Sequence, residues 1–197
     1  MKKNIKSNII ILFFTIIPLF SLFIGFVLNE DLSTGGAKWD FNLTWPIIIN
    51  YSNFNFITDI TRHMPFHYGL LSLVNVISND QNFVKIFYLF FSFLLPIFLY
   101  LNLNRIYDCN KFILIIFSSS FLFVPLFRSA AIWSNAHLTA TIFFLIGNYF
   151  YLKSKEKNIF TYKIINLLFL SLAIYCIQTY LLLYLYYLYN YFSSEKI

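Results

Sequence analysis

Two sets of ionisable side chains in this 197-residue chain could do chemistry together. Carboxylates gather just after the first apolar run, at Glu30, Asp31 and Asp40, and cations gather around Pro65, at Arg62, His63 and His67. A second basic patch runs from Arg128 to His137. A carboxylate can take the proton of an attacking hydroxyl while Arg or His neutralises a phosphate leaving group, so the set suits group transfer from a phosphate-linked donor. A plainer reading is also open: Pro65 at the first position of a helix would make Arg62 and His63 ordinary neighbours of a helix start.

The elements that must position these residues follow from composition. Hydrophobic residues make up 59% of the chain and charged ones 11%, against about 25% charged in ordinary soluble domains. With a mean hydropathy of +0.70, the expectation is an all-α integral membrane protein. Apolar runs predict about five spanning helices, at 9–28, 84–104, 112–127, 130–152 and 164–190. The run at 9–28 reads as a retained helix, because "FVLNEDL" offers no small-residue cleavage site.

The segment 65–78 gives only about 21 Å of helix, too little for the roughly 30 Å of a hydrocarbon core. On a helical wheel Gly69, Leu70, Leu73, Val74, Val76 and Ile77 share one arc, and His67, Tyr68, Ser72, Asn75 and Ser78 the other; Leu71 alone breaks the split. This pattern predicts an interfacial helix inside one long outer loop, 30–83. Skipping it as a span puts Lys2, Lys3, Lys6, Arg105, Lys111, Lys153, Lys155, Lys157 and Lys163 on the inner side, nine of fourteen cations. The amino terminus is then cytoplasmic, the carboxyl terminus outside, and the three histidines share the outer face. If the fourth span starts near Ser129, Asn135 and His137 lie within the membrane, where polar groups face a cavity or a partner.

Other classes are excluded or left without support. The net charge of +6 sits in loops between apolar runs, so no basic stripe is left for nucleic acid. Cys109 and Cys176 suggest neither a disulfide framework nor a zinc site, and no metal-ligand set stands out.

The pattern resembles the C-type glycosyltransferase superfamily, polytopic enzymes that use a polyprenyl-phosphate sugar, such as protein O-mannosyltransferases and lipid A aminoarabinose transferases. The resemblance rests on "NEDLSTGG" after the first helix, on "RHMPFHYGLLSLV" as a basic-Pro element opening an interfacial helix, and on "FVKIFYLFFSFLLPIFLYLNLNRIY" as the next span. The stretch "FVPLFRSAAIWSNAHLTATIFFLIGNYFYLKSK" is similar to the family's third and fourth helices. The resemblance implies Asp31 as general base with Glu30 beside it and Asp40 as its competitor. It also implies Arg62, His63 and Arg128 on the donor phosphate, with His67 sharing that task and His137 nearby. The implied activity is inverting transfer of a sugar from a polyprenyl-phosphate donor to a lipid or glycan hydroxyl, on the outer face of a bacterial inner membrane. It implies no cofactor, with a divalent cation left open. Family members have eight or more spans, so the expectation is a truncated or split member, with a second subunit supplying the missing helices. The rival expectations are a non-catalytic protein that binds a polyprenyl lipid or a partner, and a small transporter.

Overall fold

A computed structural model describes residues 16–56 and 65–194. Among these residues all regular structure is helical: α1 (Ile16–Val27), α2 (Gly36–Ser52), α3 (Phe66–Ser78), α4 (Gln81–Ser92), α5 (Leu94–Ile106), α6 (Lys111–Ser120), α7 (Pro125–Ile132), α8 (Ala136–Lys157), α9 (Phe160–Cys176) and α10 (Leu181–Ser194). α4 and α5 run on as one stretch of 26 residues, Gln81–Ile106, within which an 18-residue window has a mean hydropathy of 2.1. At about 39 Å it is the one described helix long and apolar enough to cross a membrane. It contains the expected span at 84–104.

Three of the other expected spans are broken, each for a local reason; of the run 9–28 only the part from Ile16 on lies among the described residues. The run 112–127 bends by 67° between Phe123 and Pro125. A residue before proline avoids the α region, and Val124 is accordingly extended (φ −65°, ψ 123°) while Pro125 opens α7. The run 130–152 is interrupted at Trp133–Asn135: Ser134 is left-handed (φ 51°), and the Asn135 side chain caps α8 by accepting from the His137 N–H at 2.8 Å. The run 164–190 breaks at Ile177, which is extended (φ −143°), and Gln178–Tyr180 form a single 3₁₀ turn before α10.

That last break reverses the chain. Tyr180 meets Thr141 near the start of α8, Tyr187 bonds Asn148, and Tyr191 bonds Asn166, so α10 runs parallel to α8 and antiparallel to α9. Ser194 therefore lies at the Lys-rich end where α8 finishes, not at the opposite end that five crossings would require. Arg105, Lys153, Lys155, Lys157 and Lys163 share that end, with Arg105 paired to Glu156.

The loop 30–83 contains α2 as well as the expected helix α3. At α2 the chain turns through Thr34 (φ 58°) and Gly35 (φ 88°), a left-handed pair in which Gly35 spares one strained side chain. The Ser33 hydroxyl then accepts from the Ala37 N–H at 2.7 Å, and Asp31 from the Lys38 N–H at 2.8 Å.

α3 is amphipathic with its polar arc inward. His67, Tyr68, Ser72 and Asn75 are buried, and Leu73, Val76 and Ile77 are 58–79% exposed. Leu71, the residue that breaks the apolar split, is fully buried beside the polar arc. Of the inward polar groups, Asn75 donates to Ser52 Oγ at 2.9 Å while its Oδ1 is buried without a hydrogen-bond partner, and both ring nitrogens of His67 are bonded.

The far half of the bundle is held by a polar seam. α8 and α9 approach so closely at Gly147 that a Cβ there would stand 3.2 Å from the Asn166 carbonyl oxygen. Fully buried Asn166 donates to the Gly147 carbonyl at 2.8 Å and accepts from the Tyr191 hydroxyl at 3.0 Å. Asn166→Leu removes both bonds and is expected to cost about 1–3 kcal/mol in detergent unfolding, with Tyr191→Phe costing less. Unchanged stability in Asn166→Leu would show that the seam holds nothing.

Candidate functional site

The site lies at the end of the bundle away from Arg105, Lys153, Lys155, Lys157 and Lys163, where the turn after α1, the start of α2, α3, α4 and the α7–α8 turn meet. Its frame is Arg128, which is buried on α7. The guanidinium grips Glu30 through Nε and Nη2, the latter at 2.6 Å, and also donates to Ser21 Oγ at 2.8 Å and to the Ser21 carbonyl at 2.6 Å. Trp133 Nε1 donates to the Glu30 carbonyl at 2.8 Å, and the Leu32 N–H to Ser129 Oγ at 2.7 Å. Gly25 is needed here, since a Cβ would fall 2.5 Å from Glu30 Oε2. Glu30 and Arg128 are thus brought together, as partners of each other. Arg128 has its donors committed before any phosphate arrives.

Asp31 is committed as well. Its Oδ1 accepts from the N–H and hydroxyl of Ser33, and its Oδ2 from the Lys38 N–H. Burial tends to raise this carboxyl, but the Ser33 hydroxyl, the Lys38 and Ser33 N–H groups and the Ser129 side chain outweigh it and bring it below its ordinary value of 3.8. A general base works best with a pKa near the operating pH, and Asp31 has moved the other way. It serves as the cap of α2.

Asp40, in the second turn of α2, is the one of the three acids that lines a cavity. It lines a cavity of about 310 Å³ together with Phe41, His67, Tyr68, Trp133, Ser134 and Asn135. It also lines a second cavity of about 510 Å³, bordered by Ser33, Asn135, His137 and Thr141. His137 and Thr141 continue into a third, mostly apolar cavity of about 430 Å³ with Leu95, Leu99, Phe144 and Leu183. The three share walls and form one groove, polar at His67 and greasy at Leu183.

His67 and His137 therefore both reach the groove, at different stations, and exposed His137 lies in the first turn of α8 and not deep in a span. Arg62 and His63 fall outside the described residues. No cluster of three or more His, Cys, Asp or Glu side chains suited to a metal occurs among the described residues.

Two lysines complete the electrostatics. Buried Lys85 on α4 holds its Nζ 4.0 Å from the Trp133 ring centroid and 5.3 Å from that of Phe41, and Lys38 Nζ stands 5.5 Å from the same indole. Cation–π attraction offsets part of the cost of burial, but among the described residues neither ammonium has a carboxylate at ion-pair distance. The sequence reading passed over Lys85, although a lone cation one residue inside the run 84–104 is the kind of signal that marks a site.

Comparison with protein-family models, curated proteins and solved structures finds no match for this chain.

Glu30→Ala leaves Arg128 buried without its counter-charge and is expected to cost about 3–5 kcal/mol, whereas Glu30→Met with Arg128→Met costs less than the single change. A double-mutant cycle on unfolding midpoints reads this, and additive costs would dissolve the pair. For Asp31 the folded pKa is lowered, so its stabilisation is present above the ordinary value of 3.8 and is lost as pH falls through the folded value. Asp31→Asn should therefore melt earlier than wild type at neutral pH and converge with it on acidification below that value.

Proposed function

We propose that this chain is an integral membrane glycosyltransferase, or a piece of one, that moves a sugar from a polyprenyl-phosphate donor to a hydroxyl on a lipid or glycan. The observation that carries the reading is the groove in which Asp40 borders two cavities, one holding His67 and one holding His137, the second of which shares His137 and Thr141 with a more apolar third. Such a groove suits a ligand with a polar head and a hydrocarbon tail. Membrane residence is supported by α3, which buries His67, Tyr68, Ser72 and Asn75 and exposes Leu73, Val76 and Ile77, an arrangement costly in water and favourable in lipid. Cations collected at the far end favour a cytoplasmic position for that end and an outer one for the groove.

In this reading Asp40 takes the proton from the acceptor hydroxyl as its oxygen attacks the anomeric carbon. The bond from that carbon to the phosphate oxygen breaks, and the sugar inverts. The electron pair leaves on the carrier phosphate, whose charge Lys85 and Lys38 neutralise. Glu30, Asp31 and Arg128 hold the walls. The second reading, a protein that binds such a lipid without turning it over, is favoured by that same commitment of Glu30, Asp31 and Arg128 to structural partners.

The test is transfer from labelled polyprenyl-phosphate hexose in membranes. Asp40→Asn should lower turnover by about a hundredfold or more, with Asp31→Asn much milder at permissive temperature. Lys85→Met should weaken binding of polyprenyl phosphate by about tenfold. A severe Asp31→Asn beside a normal Asp40→Asn would reverse the assignment of the base. Wild-type binding without transfer, with acceptor supplied, would select the second reading.

A further inference from the structure

The buried ring of His67 makes two contacts and leads into a third residue. Its Nε2 stands 2.9 Å from the Ser134 carbonyl oxygen, and its Nδ1 stands 2.9 Å from Thr139 Oγ1. Thr139 Oγ1 is 2.8 Å from the Tyr88 hydroxyl, which is itself 2.6 Å from the Asn135 carbonyl oxygen. Both ends of this chain are backbone carbonyls, which only accept. Nε2 must then carry a proton, and the Tyr88 hydrogen must point to Asn135. The Tyr88–Thr139 contact is left to the Thr139 hydrogen, so the His67–Thr139 contact needs a hydrogen on Nδ1. Four contacts require four hydrogens, and a neutral imidazole brings the total to three. The imidazolium supplies the fourth.

We infer that Tyr88 and Thr139 are positioning residues that hold His67 as its cation, fixing the Ser134–Asn135 turn and presenting a positive charge at the polar end of the groove. The turn is worth fixing, because Ser134 is left-handed, its Oγ is buried without a partner, and it joins the walls of the first cavity. Other ionisable groups around the ring are Asp40 from α2, lining the same cavity, Tyr68 from α3, Lys85 and Tyr88 from α4, His137 in the first turn of α8, and Cys176 of α9 near Tyr88. Asp40 favours the cation and Lys85 opposes it. The hydrogen count decides between them. The use of this charge on a sugar phosphate rests on the proposed transfer reading, but the count itself does not.

The experiment is nitrogen NMR of the full chain in nanodiscs, carrying His63→Gln and His137→Gln so that one histidine reports. Wild-type His67 is expected to show protons on both ring nitrogens at neutral pH. Tyr88→Phe, which touches no ring nitrogen, frees the Thr139 hydrogen to satisfy a neutral Nδ1, and should move the His67 titration down by about one pH unit with Nε2 still protonated. Thr139→Ser keeps the hydroxyl and should titrate as wild type. An unprotonated Nδ1 in the wild type at neutral pH overturns the inference even if Tyr88→Phe fails to fold, and so does a Tyr88→Phe spectrum that does not move. Because the readout needs no turnover, a doubly protonated His67 in a chain that transfers nothing sinks the transfer reading alone.

Discussion

The guanidinium of Arg128 is the joint on which the site depends. It binds the middle of α1 through Ser21 and the first residue after the following turn through Glu30, so two segments 107 and 98 positions away in sequence are held against α7. Glu30 in turn offers its carbonyl to Trp133, and Ser129 takes the Leu32 N–H. The start of α2, the indole that faces both lysines and the turn that carries Ser134 and Asn135 are all referred to this one ion pair. A buried pair of this kind is a modest source of net stability, because desolvation cancels much of the attraction. Its worth here is in register, since it ties α1, the turn after it and α7 together at one point.

Around that joint the molecule keeps its polar side chains inward. Asn75, Asn102, Asn166, Thr139 and His67 are all buried and bonded, while phenylalanine, leucine and isoleucine side chains cover much of the outside. In water this arrangement would expose a large apolar area for little return. Where the surroundings are themselves apolar, packing gains little from burying hydrocarbon, and amide and hydroxyl bonds between helices give the contacts their specificity.

What could be read from the sequence and what could not divides along physical lines. The run 84–104 was legible because nothing in it opposes a long apolar helix. The runs 112–127, 130–152 and 164–190 were read as straight because hydropathy registers greasiness and ignores backbone. Val124 before Pro125, Ser134 before Asn135, and extended Ile177 each break a helix without changing that average. α2 was missed because Asp31 was weighed as chemistry, when "DLSTGG" is also a helix start. Glu30 and Arg128 were singled out as a companion acid and a phosphate contact, and pairing between residues so distant cannot be seen in spacing. On α3 the polar arc faces protein, and it takes in Leu71 and also Val74, which the wheel puts on the apolar side.

α10 gives the groove a mechanical property. Tyr187 and Tyr191 on it and Tyr180 just before it fasten it to Asn148, Asn166 and Thr141, and Tyr180 and Leu183 also wall the apolar cavity. Widening that cavity by moving α10 must lengthen the same phenol bonds. The bore of the groove and the cohesion of the last three helices are therefore a single degree of freedom, and a chain with a looser carboxyl-terminal helix would also be one with a roomier groove.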